Sequence, residues 1–286
     1  MKKLLPREKN SQFSILNSQL FIIFAASNLK TMKTKTTILC ALAAVLMTTS
    51  GCKSHYRVTA VERTRIVIDN RYDKHPNEEA MAFLKPYKQH VDSIMGPIVG
   101  RSARYMTAYR PESPLSNLMS DIMVWGGKFY NEKPDFGMYN VGGIRADLPK
   151  GDITVGDVVD IAPFENKIAF GTLKGSEVME LFGQIASTGG EGVSKEVRLV
   201  ISKDNKLVSA TLNGKPIDPN RDYRMTTIDY LMGGTDKMEA LKKCRNINAP
   251  KEESNNTRYI IMDYFREKAK QGQEVDAQVE GRIVVK

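Results

Sequence analysis

The sequence is poor in the residues that build metal and redox centres. It has three cysteines, three histidines and one tryptophan in 286 residues. The histidines are His55, His75 and His90, and the cysteines are Cys40, Cys52 and Cys244. They make no zinc-finger spacing, and no Ser/His/Asp or Cys/His set is evident. There is no Lys/Arg run and no aromatic nucleic-acid-binding pattern, so nucleic-acid binding is set aside as a main role. The formal charge of +9 invites that reading, but it is unevenly placed. Residues 1–51 hold seven cations against one anion, which leaves +3 for residues 52–286. So small a balance says little about partners. Internal repeats and low-complexity linkers are absent. No stretch after Cys52 is apolar enough to cross a bilayer. What is present is ordinary globular composition, 41% hydrophobic and 26% charged, and the 14 methionines suit core filling.

The N-terminal part reads as an address label. Residues 1–31 are expected to be a misassigned leader, with a second start at Met32. Lys33 and Lys35 form a charged region, Ile38 to Met47 an apolar stretch, and Ser50-Gly51-Cys52 a small-residue ending. These are the parts of a secretory signal, with an apolar core too short for a comfortable span. The ending resembles a bacterial lipobox, although Thr49 stands where Leu is usual. Cys52 is therefore the expected lipidation site. Acyl chains there would bury methylenes at ~0.8 kcal/mol each and tether a soluble remainder to a cell-envelope membrane. Cys244 is then the one ordinary thiol of the processed chain and reads as buried or idle.

Residues 52–96 are expected to supply an N-terminal strand and helix, and residues 97–286 the main domain. Tyr56 to Asp69 alternates and ends in the strand-like Arg65-Ile66-Val67-Ile68. Asn77 to Met95 has helical spacing, with Ala80, Phe83, Leu84, Tyr87 and Ile94 on one side. Ile98–Ala108 reads as a strand. Ser113 caps a helix opened by Pro114, carrying Leu115, Leu118, Met119, Ile122 and Met123, and stopped at Gly126-Gly127. Strands are expected over Phe136–Val141, Ile168–Leu173 and Tyr223–Ile228, with a hairpin of Val197–Ser202 and Leu207–Leu212 around Asp204-Asn205. Helices fit Ser176–Ser187 and Thr257–Lys270, and Gly281–Val285 is a last strand. The fold class this implies is α+β, a single domain with a mixed β-sheet packed by helices.

Three clusters carry the chemistry. Asn140-Val141-Gly142-Gly143-Ile144-Arg145 ends a strand in paired glycines, where backbone can approach a ligand, and adds a guanidinium suited to phosphate. Pro163-Phe164-Glu165-Asn166 sets an aromatic and an amide two apart. Tyr230-Leu231-Met232-Gly233-Gly234-Thr235-Asp236 sets an aromatic and a carboxylate around another glycine pair. Taken singly, each is weak: such features are more often a turn, a core ring or a surface charge.

With Arg110-Pro111-Glu112-Ser113-Pro114-Leu115-Ser116-Asn117-Leu118 upstream and Gly151-Asp152-Ile153-Thr154 between, the ordered set resembles the C-terminal domain of 5'-nucleotidases, from about Pro97 to the C-terminus. The resemblance implies that Phe164 and Tyr230 sandwich a nucleobase, worth roughly 1–3 kcal/mol per base. It implies that Asn166 and Asp236 hydrogen-bond the base or ribose and that Arg145 meets the phosphate. Arg110 is the counterpart of one further phosphate arginine, about one position off register, with Arg104 or Arg101 as the second. Gly192 stands for a glycine that approaches the ligand after the Ser176–Ser187 helix. Tyr230 replaces a commoner Phe, Thr235 stands where a second Gly is usual, and Lys237 follows instead of Gly.

Full-length members carry a metallophosphoesterase domain whose two metals activate water. None of the three histidines lies in that domain's motifs, and Gly156-Asp157-Val158-Val159-Asp160 reads as a helix start despite matching a metal motif's letters. No cofactor and no metal are therefore expected in this chain. Divalent metals are expected only in a separate metallophosphoesterase that would act in extracytoplasmic nucleotide dephosphorylation. The alternatives are a non-catalytic surface receptor for nucleotides or nucleosides, and a structural lipoprotein with a decayed pocket.

Overall fold

The computed structural model describes residues 58–71, 73–74 and 76–286. The leader, the signal segment 32–51 and Cys52 lie outside the described residues, as do Cys40, His55 and His75. The described residues belong to two units, one that includes 58–71 and one running from Asp73 to Lys286. The expected N-terminal part, 52–96, is thus divided between them. Over the described part of Tyr56–Asp69 no strand forms, and Ile66 and Ile68 are exposed. A β-rich run becomes a strand only when a neighbour takes its N–H and C=O groups, and no described strand pairs with it.

The second unit opens with α1 (Glu78–Met95), capped by Asn77, whose side chain accepts from the Ala80 amide at 2.9 Å. The expected apolar side is present but not covered: Phe83, Leu84, Tyr87 and Ile94 are all exposed. Then follow β1 (Ile98–Ser102), α2 (Pro114–Gly126), β2 (Phe136–Tyr139), β3 (Gly151–Thr154), α3 (Val155–Ile161), β4 (Ile168–Lys174) and α4 (Gly175–Ser187). The short strands β5 (Gly192–Val193), β6 (Val197–Ile201), β7 (Leu207–Leu212) and β8 (Lys215–Pro216) lead to β9 (Asp222–Ile228) and α5 (Asp229–Met232). The chain ends through β10 (Arg245–Asn248), α6 (Thr257–Lys270) and β11 (Ile283–Val285).

Among the described residues these strands form three sheets: β1–β3, β10–β4–β9–β2–β5 and β11–β6–β7–β8. The central strand β9 runs antiparallel to β4 and parallel to β2. Buried on both faces, Met225, Thr226, Thr227 and Ile228 are fully enclosed. Helices cover both sides, as the alternation along β2 dictates. Phe136 packs on Phe182 of α4 with ring centroids 5.5 Å apart. On the other face, a Cβ on Gly137 would lie 2.8 Å from Val124 of α2. Helix α6 backs α2, with Trp125 and Tyr264 edge-to-face at 5.1 Å. This mixed arrangement of helices and sheets is the fold class the residue pattern implies.

Local signals explain the sharpest boundaries. Ser113 and Ser116 form a capping box at the start of α2, with Pro114 in its first position. The α-helix ends at the glycine pair as expected, with Gly126 its last residue and Gly127 its cap. Gly127 stays right-handed, the chain continues as a tight turn to Tyr130, and Asn131 at φ 55° ends it. The strand expected over Ile98–Ala108 stops at Ser102, where Arg101 to Ala103 turn to bond Val275. Thr154 caps α3, its hydroxyl and amide both donating to Asp157 at 2.6 and 2.7 Å. The Gly-Asp-x-x-Asp letters therefore serve a helix start. Among the described residues, no helix is long and apolar enough to cross a membrane.

Candidate functional site

Strand direction determines where the three clusters meet. Because β2 and β9 are parallel and β4 is antiparallel to β9, the C-terminal ends of β2 and β9 share an edge with the N-terminal end of β4. Ile168, first in β4, pairs with Ile228, last in β9. The Asn140–Gly143 turn follows β2, the Phe164–Asn166 loop precedes β4, and Tyr230 and Asp236 follow β9. Loops at such an edge are free to vary while the sheet holds them in place. They enclose a cavity of about 270 Å³ lined by Asn140, Gly142, Gly143, Phe164, Asn166, Tyr230 and Asp236. Phe164 and Tyr230 are 48% and 45% exposed, so each retains uncovered ring surface.

Polar ties hold the loops. Asp229 accepts from the Lys167 amide at 3.0 Å and the Tyr230 amide at 2.8 Å, fastening the two aromatic loops together. Asn166 accepts from the Thr257 amide at 2.9 Å through its carbonyl. Arg258 donates to the Pro163 carbonyl at 2.9 Å. The Tyr230 hydroxyl donates to Asp236 at 3.0 Å, and Asn140 Nδ2 donates to the other Asp236 oxygen at 2.6 Å. Thr235 does not line the cavity; its hydroxyl donates to the Tyr230 carbonyl at 2.5 Å. Asp236 and Lys237 both have positive φ, 53° and 67°, the conformation in which glycine is favoured.

Asn140 is 4% exposed, and its Oδ1 has no hydrogen-bond partner. A Cβ at position 143 would lie 2.5 Å from that oxygen. At Gly143 it is the close approach of that amide, and not a positive φ, that a side chain would disturb.

The arginines divide. Arg145 is exposed and donates to the Gly142 carbonyl at 3.1 Å, beside the cavity rim. Arg110 pairs with Glu191 and donates to the Gly190 carbonyl at 2.8 Å. Glu191 is buried, and its other oxygen accepts from the Val141 amide at 2.6 Å. Arg104 does not line the cavity. It is held by Asp276 through Nε at 2.5 Å and Nη2 at 2.9 Å. Arg101 is likewise engaged, by Asp152 at 2.5 Å and Glu274 at 3.3 Å. Gly192 also lies elsewhere: it is buried in β5, where a Cβ would come within 2.7 Å of the Ser116 carbonyl and 2.8 Å of that of Tyr139. Its missing side chain allows strand–helix packing, not ligand approach. Sequence reasoning quoted Asn140 within its cluster without giving it a role, and did not single out Asp229 or Glu191. The signals available were an amide before a glycine pair for Asn140, a carboxylate directly after a strand for Asp229, and a carboxylate directly after Gly189-Gly190 for Glu191.

Cys244 is buried, and burial pushes its thiol up to about 11, with Glu177 adding to the shift. Among the described residues, no three His, Cys, Asp or Glu side chains converge as metal ligands.

The architecture is a mixed α/β domain with an aromatic, polar-rimmed cavity at the edge of its main sheet, where small-molecule sites commonly form. Residues 92–243, more than half of the chain, match the 5'-nucleotidase C-terminal domain family, and the chain belongs to that family. Among curated proteins it is similar to protein UshA of Yersinia enterocolitica, 37% identical over 106 residues, covering 35% of this chain and 19% of that protein. A cell wall protein of Listeria monocytogenes is 23% identical over 236 residues, covering 74% of this chain and 30% of that one. The crystal structure of a 5'-nucleotidase precursor from Thermus thermophilus superposes with a TM-score of 0.61 at 26% identity, covering 73% of this chain and 43% of that chain. The matches thus span less than half the length of each of these relatives.

Proposed function

We propose that this domain binds a nucleotide or nucleoside in the cavity between Phe164 and Tyr230. The two rings take the base, Asn166 and Asp236 hydrogen-bond base or ribose, and Arg145 meets the phosphate. The observation that supports this most is convergence: Phe164, Asn166, Tyr230 and Asp236, from two separate loops, line one cavity with the glycine turn that leads to Arg145. Base stacking accounts for roughly 1–3 kcal/mol per ring and tolerates different bases. The test is calorimetry with AMP and adenosine on the wild type and Phe164→Ala. Loss of binding in the variant is expected; an unchanged Kd refutes the assignment.

The biological role we infer is extracytoplasmic nucleotide dephosphorylation, with a metallophosphoesterase on a separate chain supplying the divalent metals and the hydrolysis. Membership of a nucleotidase domain family supports the role, and the likeness to a cell wall protein supports export. Lipid attachment at Cys52 would keep the domain at the envelope membrane. Mixing with such a phosphoesterase is expected to raise its turnover of AMP. No change in rate or affinity would favour a surface receptor instead.

A further inference from the structure

We infer that Glu191 sets the charge of the ligand this site accepts, by cancelling one of the two guanidiniums that flank the glycine turn. The inference rests on the nucleotide reading above and adds to it the anionic load of the ligand. Arg110 and Arg145 are both tied to the same three-residue turn, Val141–Gly143. Arg145 bonds the Gly142 carbonyl, while Arg110 reaches the Val141 amide through the Glu191 carboxylate that both share. Glu191 is 1% exposed, whereas the Arg110 side chain is 40% exposed. Enclosed this deeply, the carboxylate is held by the Arg110 guanidinium on one oxygen and the Val141 N–H on the other. Arg110 is thus committed to neutralising a buried anion, with its Nε spent on the Gly190 carbonyl. Among the described residues, Arg145 makes no ion pair.

Of the two guanidiniums tied to the glycine turn, Arg145 alone is therefore uncompensated among the described residues. One guanidinium fits a monoester, bidentate through two of its oxygens. It offers nothing further to a second or third phosphate. The ligand class is a nucleoside or nucleoside monophosphate, with ATP held no more tightly than AMP.

The experiment is calorimetry on the full chain with adenosine, AMP and ATP, on the wild type, Glu191→Gln and Arg145→Ala. Glutamine keeps an oxygen for the Val141 amide and frees the Arg110 charge. Glu191→Gln is expected to tighten AMP by about tenfold, the equivalent of one charge-assisted hydrogen bond, and ATP by at least as much, while adenosine is unchanged. A merely structural role for Glu191 would move adenosine and AMP together, and that result overturns the inference. In Arg145→Ala the preference for AMP over adenosine should vanish. If it survives, Arg110 binds phosphate despite Glu191, and the inference fails even if Glu191→Gln does not fold. Absence of adenosine and AMP binding in the wild type refutes the nucleotide reading and this inference with it. Binding with an unaltered charge preference refutes the inference alone.

Discussion

Tyr230 offers the cleanest separation of the two forces proposed to hold a ligand. Its ring is one wall of the cavity, and its hydroxyl donates to Asp236 at 3.0 Å. Removing the ring by Tyr230→Ala deletes a stacking surface worth roughly 1–3 kcal/mol, or about 5- to 150-fold in Kd. Tyr230→Phe keeps that surface and deletes one hydrogen bond. Tyr230 is 45% exposed and Asp236 is exposed too, so water can replace the lost donor. The cost then lies at the low end for hydrogen bonds, about 0.5–1 kcal/mol, or roughly two- to fivefold. Asn140 remains on the other Asp236 oxygen at 2.6 Å and keeps the carboxylate in place. Calorimetry with adenosine reads the ring and the hydroxyl without a phosphate contribution. The alanine variant should lose far more than the phenylalanine variant. Equal losses would mean that the hydroxyl tether, not the ring face, carries the affinity. No loss in Tyr230→Ala would refute stacking altogether.

Two further perturbations test the supports of the site and the fold. Gly143→Ala places a methyl 2.5 Å from Asn140 Oδ1 and must push that amide off Asp236; overpacking of this kind costs about 1–3 kcal/mol, so Tm should fall and adenosine should bind more weakly. Unchanged affinity in the folded variant would show that Asn140 does not position Asp236. Glu132 accepts from Arg224 at 2.8 Å and from Asn248 at 3.0 Å, and the guanidinium beside it holds its carboxyl below the usual carboxylate range. A folded pKa below the unfolded one gives stability that is present above the unfolded value and lost as pH falls through the folded value. Glu132→Gln should therefore lower stability near neutral pH and flatten its decline in acid, read from denaturant midpoints across the acid range; an unaltered slope counts against the pair.

The parts of the fold that were legible in the residues are those whose causes are local. The start of α2 follows from a serine cap, and the β6–β7 hairpin from Asp204-Asn205, where Asn205 adopts φ 59°. Phe164, Asn166, Tyr230 and Asp236 could be grouped in advance because motif order carries information that spacing alone does not, and the structure brings the four to one cavity. What escaped depends on partners far along the chain. Arg110 and Arg104 look alike as letters, but one finds Glu191 beside the glycine turn and the other finds Asp276. Gly192 was misplaced because a glycine that admits a helix and one that admits a ligand are indistinguishable without the neighbours. The Arg65–Ile68 run shows the same limit: its preference for extended structure is real, but a strand needs another strand.

The antiparallel β4–β9 ladder is what sets Phe164 and Tyr230 at the same sheet edge. Until those distant segments zip together, the chain has no slot at all. A bound nucleoside would therefore grip only the finished fold, and by mass action it would resist melting by about 2.7 kcal/mol at a hundredfold excess over Kd. Heat resistance in the presence of successive bases would then rank what the cell offers this domain, without any need to observe a reaction.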